Sequence, residues 1–272
     1  MIPAPSGVTA NLMAASEIVF LMYHELAVPG RKLCQSEPGY IRYILPVDTF
    51  RGQMEWMKKS SFRGLNVSEA LRYPAEPSVC ITFDDGCETD LIAAAPLLSE
   101  FGFNATFYLT GGLLGTPGYL TANQVRELDA QGFEIGCHSM THPYLPDLAE
   151  PELKREIVDA KFQIEQIVGH PIEHFSCPGG RFDERTLAMA RRAGFHTVAN
   201  SQFHTNSVRT SRYDLGRVAM LRDMPLAEFV ATCHGRSLWK KRLQQGVRRS
   251  VQRMLGNRGY DMLRKALLRN LE

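Results

Sequence analysis

The chain has little tryptophan, no paired cysteine motif and no long apolar run, and each shortage excludes something. Its 272 residues include two tryptophans and six cysteines. The cysteines (Cys34, Cys80, Cys87, Cys137, Cys177 and Cys233) show no CxxC spacing, and several sit inside apolar, strand-like runs. That usage reads as reduced, mostly buried thiols in a cytoplasmic protein, not as a disulfide framework. No stretch approaches the ~20 apolar residues needed to cross a bilayer. The opening MIPAPSGVTANLMAASEIVFLMYH has no Lys or Arg before its apolar run, and Glu17 interrupts it. A secretory signal needs a basic start and a longer clean core, so export by that route is not expected. Internal repeats and low-complexity segments are also lacking.

What is present is an ordinary globular composition, 44% hydrophobic with a net charge of +2. The average hides an asymmetry. Residues 236–272 contain eleven Lys or Arg against Asp261 and Glu272, so this segment is +9 and the remainder −7. Within it Trp239, Leu243, Val247, Val251 and Leu255 recur every four residues with basic residues between them. The pattern predicts a basic amphipathic helical tail. Such a helix packs its apolar stripe on the body or on another subunit, or lies on an anionic membrane surface at the inner face of the membrane. Interleaved aromatics are missing, so nucleic acid is not an expected partner. The expected division is 1–235 as the catalytic domain and 236–272 as the tail.

Short apolar runs alternate with helical patterns. Strands are expected at Ile18–Tyr23, Val79–Phe83, Ala105–Leu109, Phe133–Cys137, His174–Cys177, His196–Ala199 and Leu215–Met220. Helices are expected at Val47–Lys59, Thr89–Phe101, Thr121–Gln131, Pro151–Val168, Glu184–Ala193 and Leu226–Thr232. Asp48 or Thr49 could cap the first helix and Thr121 the third, while Gly132 and Gly194 supply stops. Strand–helix alternation implies an α/β fold of parallel strands with helical crossovers. About seven such units over roughly 220 residues favour a barrel over an open sheet.

In such barrels the chemistry collects at the carboxyl ends of strands. Tyr23-His24, Asp84-Asp85, His138 and Pro178-Gly179-Gly180 each follow an expected strand. Adjacent carboxylates at Asp84-Asp85 are costly unless a cation or a proton resolves them. His138 and His142, four apart in HSMTH, share a face on a helical turn and can bind one cation. With Asp85 they make a His2Asp set that leaves room for water. That assigns one carboxylate to a metal and the other to proton transfer, the minimum for metal-assisted hydrolysis. Blander readings exist for each part: an Asp-Gly turn after a strand, a surface or core histidine pair, and a plain connector at FSCPGGRFD (residues 175–183). In the last segment Pro178 and the glycines permit an unusual backbone path that leaves N–H groups free for a substrate.

TFDDG, HSMTH and the proline–glycine loop, in this order and spacing, resemble the first three motifs of the polysaccharide deacetylases, the family 4 carbohydrate esterases that include the nodulation-type chitooligosaccharide deacetylases. IVFLMYH is similar to the first strand of the exopolysaccharide-biosynthesis branch. The resemblance covers roughly residues 17–222. It implies a distorted (β/α)7 barrel, a divalent metal ion with zinc the expected one, and removal of N-acetyl groups from an amino-sugar glycan with release of acetate. By position Asp84 resembles the catalytic base, and Asp85, His138 and His142 the metal ligands. Gly179, beside Pro178, takes the place whose N–H faces the oxyanion.

Three departures stand out. The arginine that many members carry two residues before the loop proline, where it tethers the base, is replaced by Ser176, so Arg181 becomes the expected partner of Asp84 and a substrate-binding residue. The fourth motif, with its tryptophan, has no match near residues 200–222. The fifth, a strand ending in an acid histidine, is not evident either: His234 ends a helical stretch, EFVATCHG. His24 is the expected general acid, with a packed structural role as its counter-reading, and His204 a remote alternative. Two other functions stay open: an amidohydrolase acting on a small non-sugar amide, and a non-catalytic sugar-binding protein.

Overall fold

The computed structural model describes residues 17–72 and 77–236, together with Leu238 and Arg242. The basic tail expected over 236–272 otherwise lies outside the described residues. Among these residues ten strands form: β1 (Val19–Tyr23), β2 (Leu26–Ala27), β3 (Leu45–Pro46), β4 (Arg63–Leu65), β5 (Ser78–Asp85), β6 (Thr106–Leu109), β7 (Glu134–Cys137), β8 (His174–Ser176), β9 (Thr197–Ala199) and β10 (Val218–Ala219).

The main sheet runs β10-β1-β5-β6-β7-β8-β9, with β4 paired to the first half of β5. Every pairing in it is parallel. A bridge from Ala199 to Leu215 carries the far edge back toward β10, so the path curls round on itself. Parallel strands covered on both faces read as unbroken apolar runs. β5 is the clearest case: all eight residues of SVCITFDD are buried, the last two being aspartates. This is the α/β, (β/α)7-type architecture expected from the alternation of elements.

Helices pack the outside. Val47–Lys59 buries Phe50, Gln53, Met54 and Met57, the three-and-four spacing of one helix face. Tyr23 on β1 donates its hydroxyl to Gln53 on that face, at 2.8 Å. The expected Asp48 or Thr49 cap is not used, because Pro46 is the N-cap and its ring presets the backbone at the helix entry. Thr121 does cap Ala122–Ala130, in a reciprocal box with Gln124. Thr89–Phe101 divides into a π turn, Asp90–Ala94, and an α-helix, Ala95–Phe101. All six cysteines are free, and all but Cys34 are buried.

Candidate active site

β5 delivers Asp84 and Asp85 side by side at its carboxyl end, and they separate at once. Asp84 is clamped by Arg217: Nη1 donates to Oδ1 and Nη2 to Oδ2, each at 2.7 Å. Arg217 is fully buried and stands immediately before β10. It also donates to Ser176 Oγ at 2.6 Å, to the Asn200 carbonyl at 3.0 Å and to Thr82 Oγ1 at 3.2 Å. The guanidinium therefore joins β5, β8 and the end of β9 beneath the carboxylates. Burial alone would raise the Asp84 pKa. Arg217 and, after it, His138 outweigh that and hold the carboxyl well below the usual range.

This arrangement corrects an expectation. Arg217, not Arg181, is the clamp on Asp84, while the Arg181 guanidinium lies 3.5 Å from the centroid of the Tyr144 ring. Ser176, standing where the tethering arginine was missed, accepts from the replacement. A sequence signal existed: an arginine inside the strand-like run Leu215–Met220 calls for a buried anion.

Asp85 has φ +84°, a conformation uncommon outside glycine. Its Oδ2 accepts from the Tyr40 hydroxyl at 3.2 Å. Burial, with Asp85 alongside, keeps that hydroxyl protonated. Asp85 Oδ1 is buried and has no hydrogen-bond partner. It lies 3.7 Å from His138 Nε2 and 3.6 Å from His142 Nε2.

The histidines follow β7 on an irregular loop, not the helical turn expected for the pair. Ser139 has φ +69° and His142 φ +62°. Glu156, from the helical stretch 150–168, shapes the loop by accepting from the Met140 and Thr141 amides at 2.9 and 2.7 Å and from the Thr141 hydroxyl. Ser139 Oγ accepts from the His142 amide at 3.0 Å. Gly112 donates to the Met140 carbonyl at 2.7 Å, and a Cβ at this position would sit 2.6 Å from that oxygen, so only glycine allows the approach. The result brings the two imidazoles to 4.9 Å between centroids.

His138 Nδ1 lies 2.9 Å from the Ser176 carbonyl, an acceptor, so this nitrogen carries the proton and Nε2 presents its lone pair to the carboxylates. Burial lowers the His138 pKa to about 4 despite the pull of Asp84, leaving the ring neutral at pH 7. The residues fit a divalent cation. Asp85, His138 and His142 each offer one atom within 4.8 Å of the others, one of them an orphaned carboxylate oxygen. Two imidazoles and a carboxylate are a zinc-type donor set with open positions.

His24, just beyond β1, faces the same rim. Its Nδ1 is buried without a partner, and its ring is 5.1 Å from that of Tyr43. Burial lowers its pKa, with Asp85 and Asp84 pulling partly the other way. His234 is elsewhere, packed on Phe62 and Trp56 near the amino-terminal end of the strands. His204 Nδ1 turns to the Thr205 carbonyl. Pro178–Gly180 forms a tight turn after β8 in which Gly179 has φ +60°. The Gly180 and Arg181 amides close that turn on the Cys177 and Pro178 carbonyls.

Fold and site together define an α/β barrel with a carboxylate–histidine centre at the strand ends. Residues 72–198 match the family model described as polysaccharide deacetylase. The Bacillus subtilis (strain 168) protein YxkH, provisionally named a polysaccharide deacetylase, is 27% identical over 222 residues, covering 79% of this chain and 76% of its own. A peptidoglycan-N-acetylglucosamine deacetylase of Bacillus cereus is 33% identical over 124 residues, 45% of this chain and 56% of that protein. The chain thus spans little more than half the length of the second relative. The Streptococcus pyogenes deacetylase PplD, solved with acetate, superposes with a TM-score of 0.71 over 80% of this chain and 99% of its own, at 24% identity. That likeness establishes the fold.

Proposed function

We propose that the chain is a metal-dependent hydrolase that removes N-acetyl groups from an amino-sugar-containing glycan or glycan precursor and releases acetate. One observation carries the reading: the orphaned Asp85 Oδ1 lies 3.6–3.7 Å from two imidazole nitrogens, beside a carboxylate clamped by a buried arginine. The name of the Bacillus cereus relative supports an N-acetylated sugar as substrate.

Asp85, His138 and His142 would hold a divalent cation, with zinc the expected ion. When bound, it supplies Lewis acidity and lowers the pKa of water from ~15.7 toward ~7. Asp84, kept ionised and oriented by Arg217, takes the proton of the attacking water. The Gly179 N–H, in its tight turn, donates to the oxygen that becomes anionic; one such donor is typically worth about 3 kcal/mol. Pro178 and Arg181 frame that face for the substrate. His24 delivers a proton to the departing amine. Because its imidazole is neutral at rest, it must first gain that proton within the cycle. Such a transfer usually contributes ~10²–10⁴ in rate.

Acetate release from N-acetylglucosamine oligomers, before and after chelation and after zinc is restored, tests the assignment. Release that vanishes with the metal and returns with it is the expected result. Metal binding without acetate release would favour the non-sugar amide or the sugar-binding alternative. Residues 1–235 form the catalytic unit in this reading. The charge of 236–272 supports peripheral contact with an anionic surface; equal vesicle flotation with and without the segment would refute that contact. No helix among the described residues is long and apolar enough to cross a membrane.

A further inference from the structure

Next to the catalytic centre lies a second group of acidic and thiol side chains that the reaction does not use. Glu25 follows His24 at the end of β1. Cys34 lies on the connection toward Tyr40, and Cys87 lies two residues beyond Asp85. One carboxylate oxygen and the two sulfurs all lie within 4.8 Å of one another. A tetrahedral zinc sets its donor atoms roughly 3.5 Å apart, so modest contraction closes the group around an ion.

A separate observation points to the same spot. Asp90 opens the π turn Asp90–Ala94, its side chain is completely buried, and neither carboxylate oxygen has a hydrogen-bond partner. Its backbone amide bonds to the Cys87 carbonyl at 2.9 Å; its carboxylate lies outside the three-donor set and would close on an ion as the fourth ligand. Its strongest charge neighbours are Asp85, Cys34 and Glu25, all acidic. A buried carboxylate without a donor is costly to fold around. One cation would resolve all four groups at once.

We propose that Glu25, Cys34, Cys87 and Asp90 form a second, closed zinc site that is structural, not catalytic. Two thiolates and two carboxylates suit zinc, and four protein ligands leave no open position for substrate. The surroundings support the ligands. Both Glu25 oxygens accept from the Cys34 amide, at 3.0 and 3.1 Å. Thr89 Oγ1 accepts from the Leu26 amide at 3.3 Å. Three segments distant in sequence are therefore already tied together around the position. Tyr40 connects the two centres, its hydroxyl 3.2 Å from Asp85 Oδ2 and 3.6 Å from Cys87 Sγ. A zinc here would fix the segment that delivers Tyr40 and so orient a ligand of the first site.

The proposal is independent of the deacetylase assignment, because the thiolate band and the zinc kept by the histidine variant report on the second site alone, and its test needs no substrate. The full chain is stripped of metal under reducing conditions, reloaded with zinc(II) or cobalt(II), and freed of excess ion. Zinc per chain should be about two in the wild type and about one in both His138→Ala/His142→Ala and Cys34→Ser/Cys87→Ser. Cobalt should give thiolate-to-metal charge-transfer absorption in the wild type and the histidine variant, and none in the cysteine variant. If the double cysteine variant fails to fold, Asp90→Asn supplies the reading: in competition with a chelator its second zinc should be released at least about 10-fold more easily. A histidine variant that holds no zinc, or cobalt-loaded protein without the thiolate band, would overturn the site. So would a Cys34–Cys87 disulfide found by mass in the protein as purified.

Discussion

The two ends of the barrel are built from the same side-chain types and behave differently. At the amino-terminal end of the strands, Glu134 accepts from the Val67 amide at 3.1 Å, from Thr106 Oγ1 at 2.5 Å and from the Ser68 amide. His174 Nε2 lies 3.1 Å from Glu134 and 2.9 Å from Ser68 Oγ, and its Nδ1 lies 2.9 Å from Thr197 Oγ1. Every side chain in that cluster has its partners. At the carboxyl end, Asp85 Oδ1 and His24 Nδ1 are buried without any. Among the described residues, three of the four non-glycine residues with positive φ (Asp85, Ser139 and His142) belong to the carboxyl end. Such conformations cost of order 1–3 kcal/mol each and persist only where the surroundings impose them. A satisfied buried network stabilises; an incomplete one held in a strained backbone is waiting for a ligand. The contrast, not the residue types, separates scaffold from site.

Four substitutions test that contrast. His138→Ala should reduce acetate release to background and abolish binding of the proposed divalent metal, read by metal content and assay together. Asp84→Asn should keep the metal and the fold and lose about 10²–10⁴ in rate; wild-type turnover in this variant would sink the base assignment. Arg217→Met leaves a buried carboxylate without its cation and should cost ~3–5 kcal/mol in urea unfolding, along with most of the activity. Adding Asp84→Asn to it should return part of that stability, because the uncompensated charge is gone. Glu134→Gln, at the satisfied end, should cost ~1–3 kcal/mol and leave turnover unchanged below the melting range.

The last variant also carries a pH signature. Burial would raise the Glu134 pKa, but His174 and the surrounding donors outweigh it and hold the carboxyl below its ordinary value. A depressed carboxyl pKa contributes stability that is fully present above about pH 4.3 and is lost as pH falls through the folded value. The stability gap between wild type and Glu134→Gln should therefore narrow on acidification below about pH 4. A gap that widened there would mean Glu134 is protonated in the fold.

What the sequence made legible was local. The helix Val47–Lys59 and the TFDDG strand end could be read because periodicity and an apolar run are properties of neighbouring residues. Strands β2, β3 and β4, of two or three residues, are too short to show a period. Spacing alone reads the histidine loop as helical, whereas its backbone is dictated by Glu156, a residue supplied by the next helical stretch. The clamp on Asp84 was assigned to the nearest arginine in the motif. The actual donor is 133 residues away, and only the curl of the sheet brings it there. Both errors have one origin: the chemistry was set by contacts between segments, which spacing along the chain does not encode.

The place of Arg217 in chain order has a consequence for synthesis. Asp84, Asp85, His138 and His142 all emerge from the ribosome before it. A nascent chain that ends short of Arg217 has every residue of the proposed metal set but no clamp on Asp84. If the proposed reaction holds, the strand that completes the ring is also the one that arms it, and a barrel truncated before Arg217 is expected to be inactive however well its earlier strands have paired.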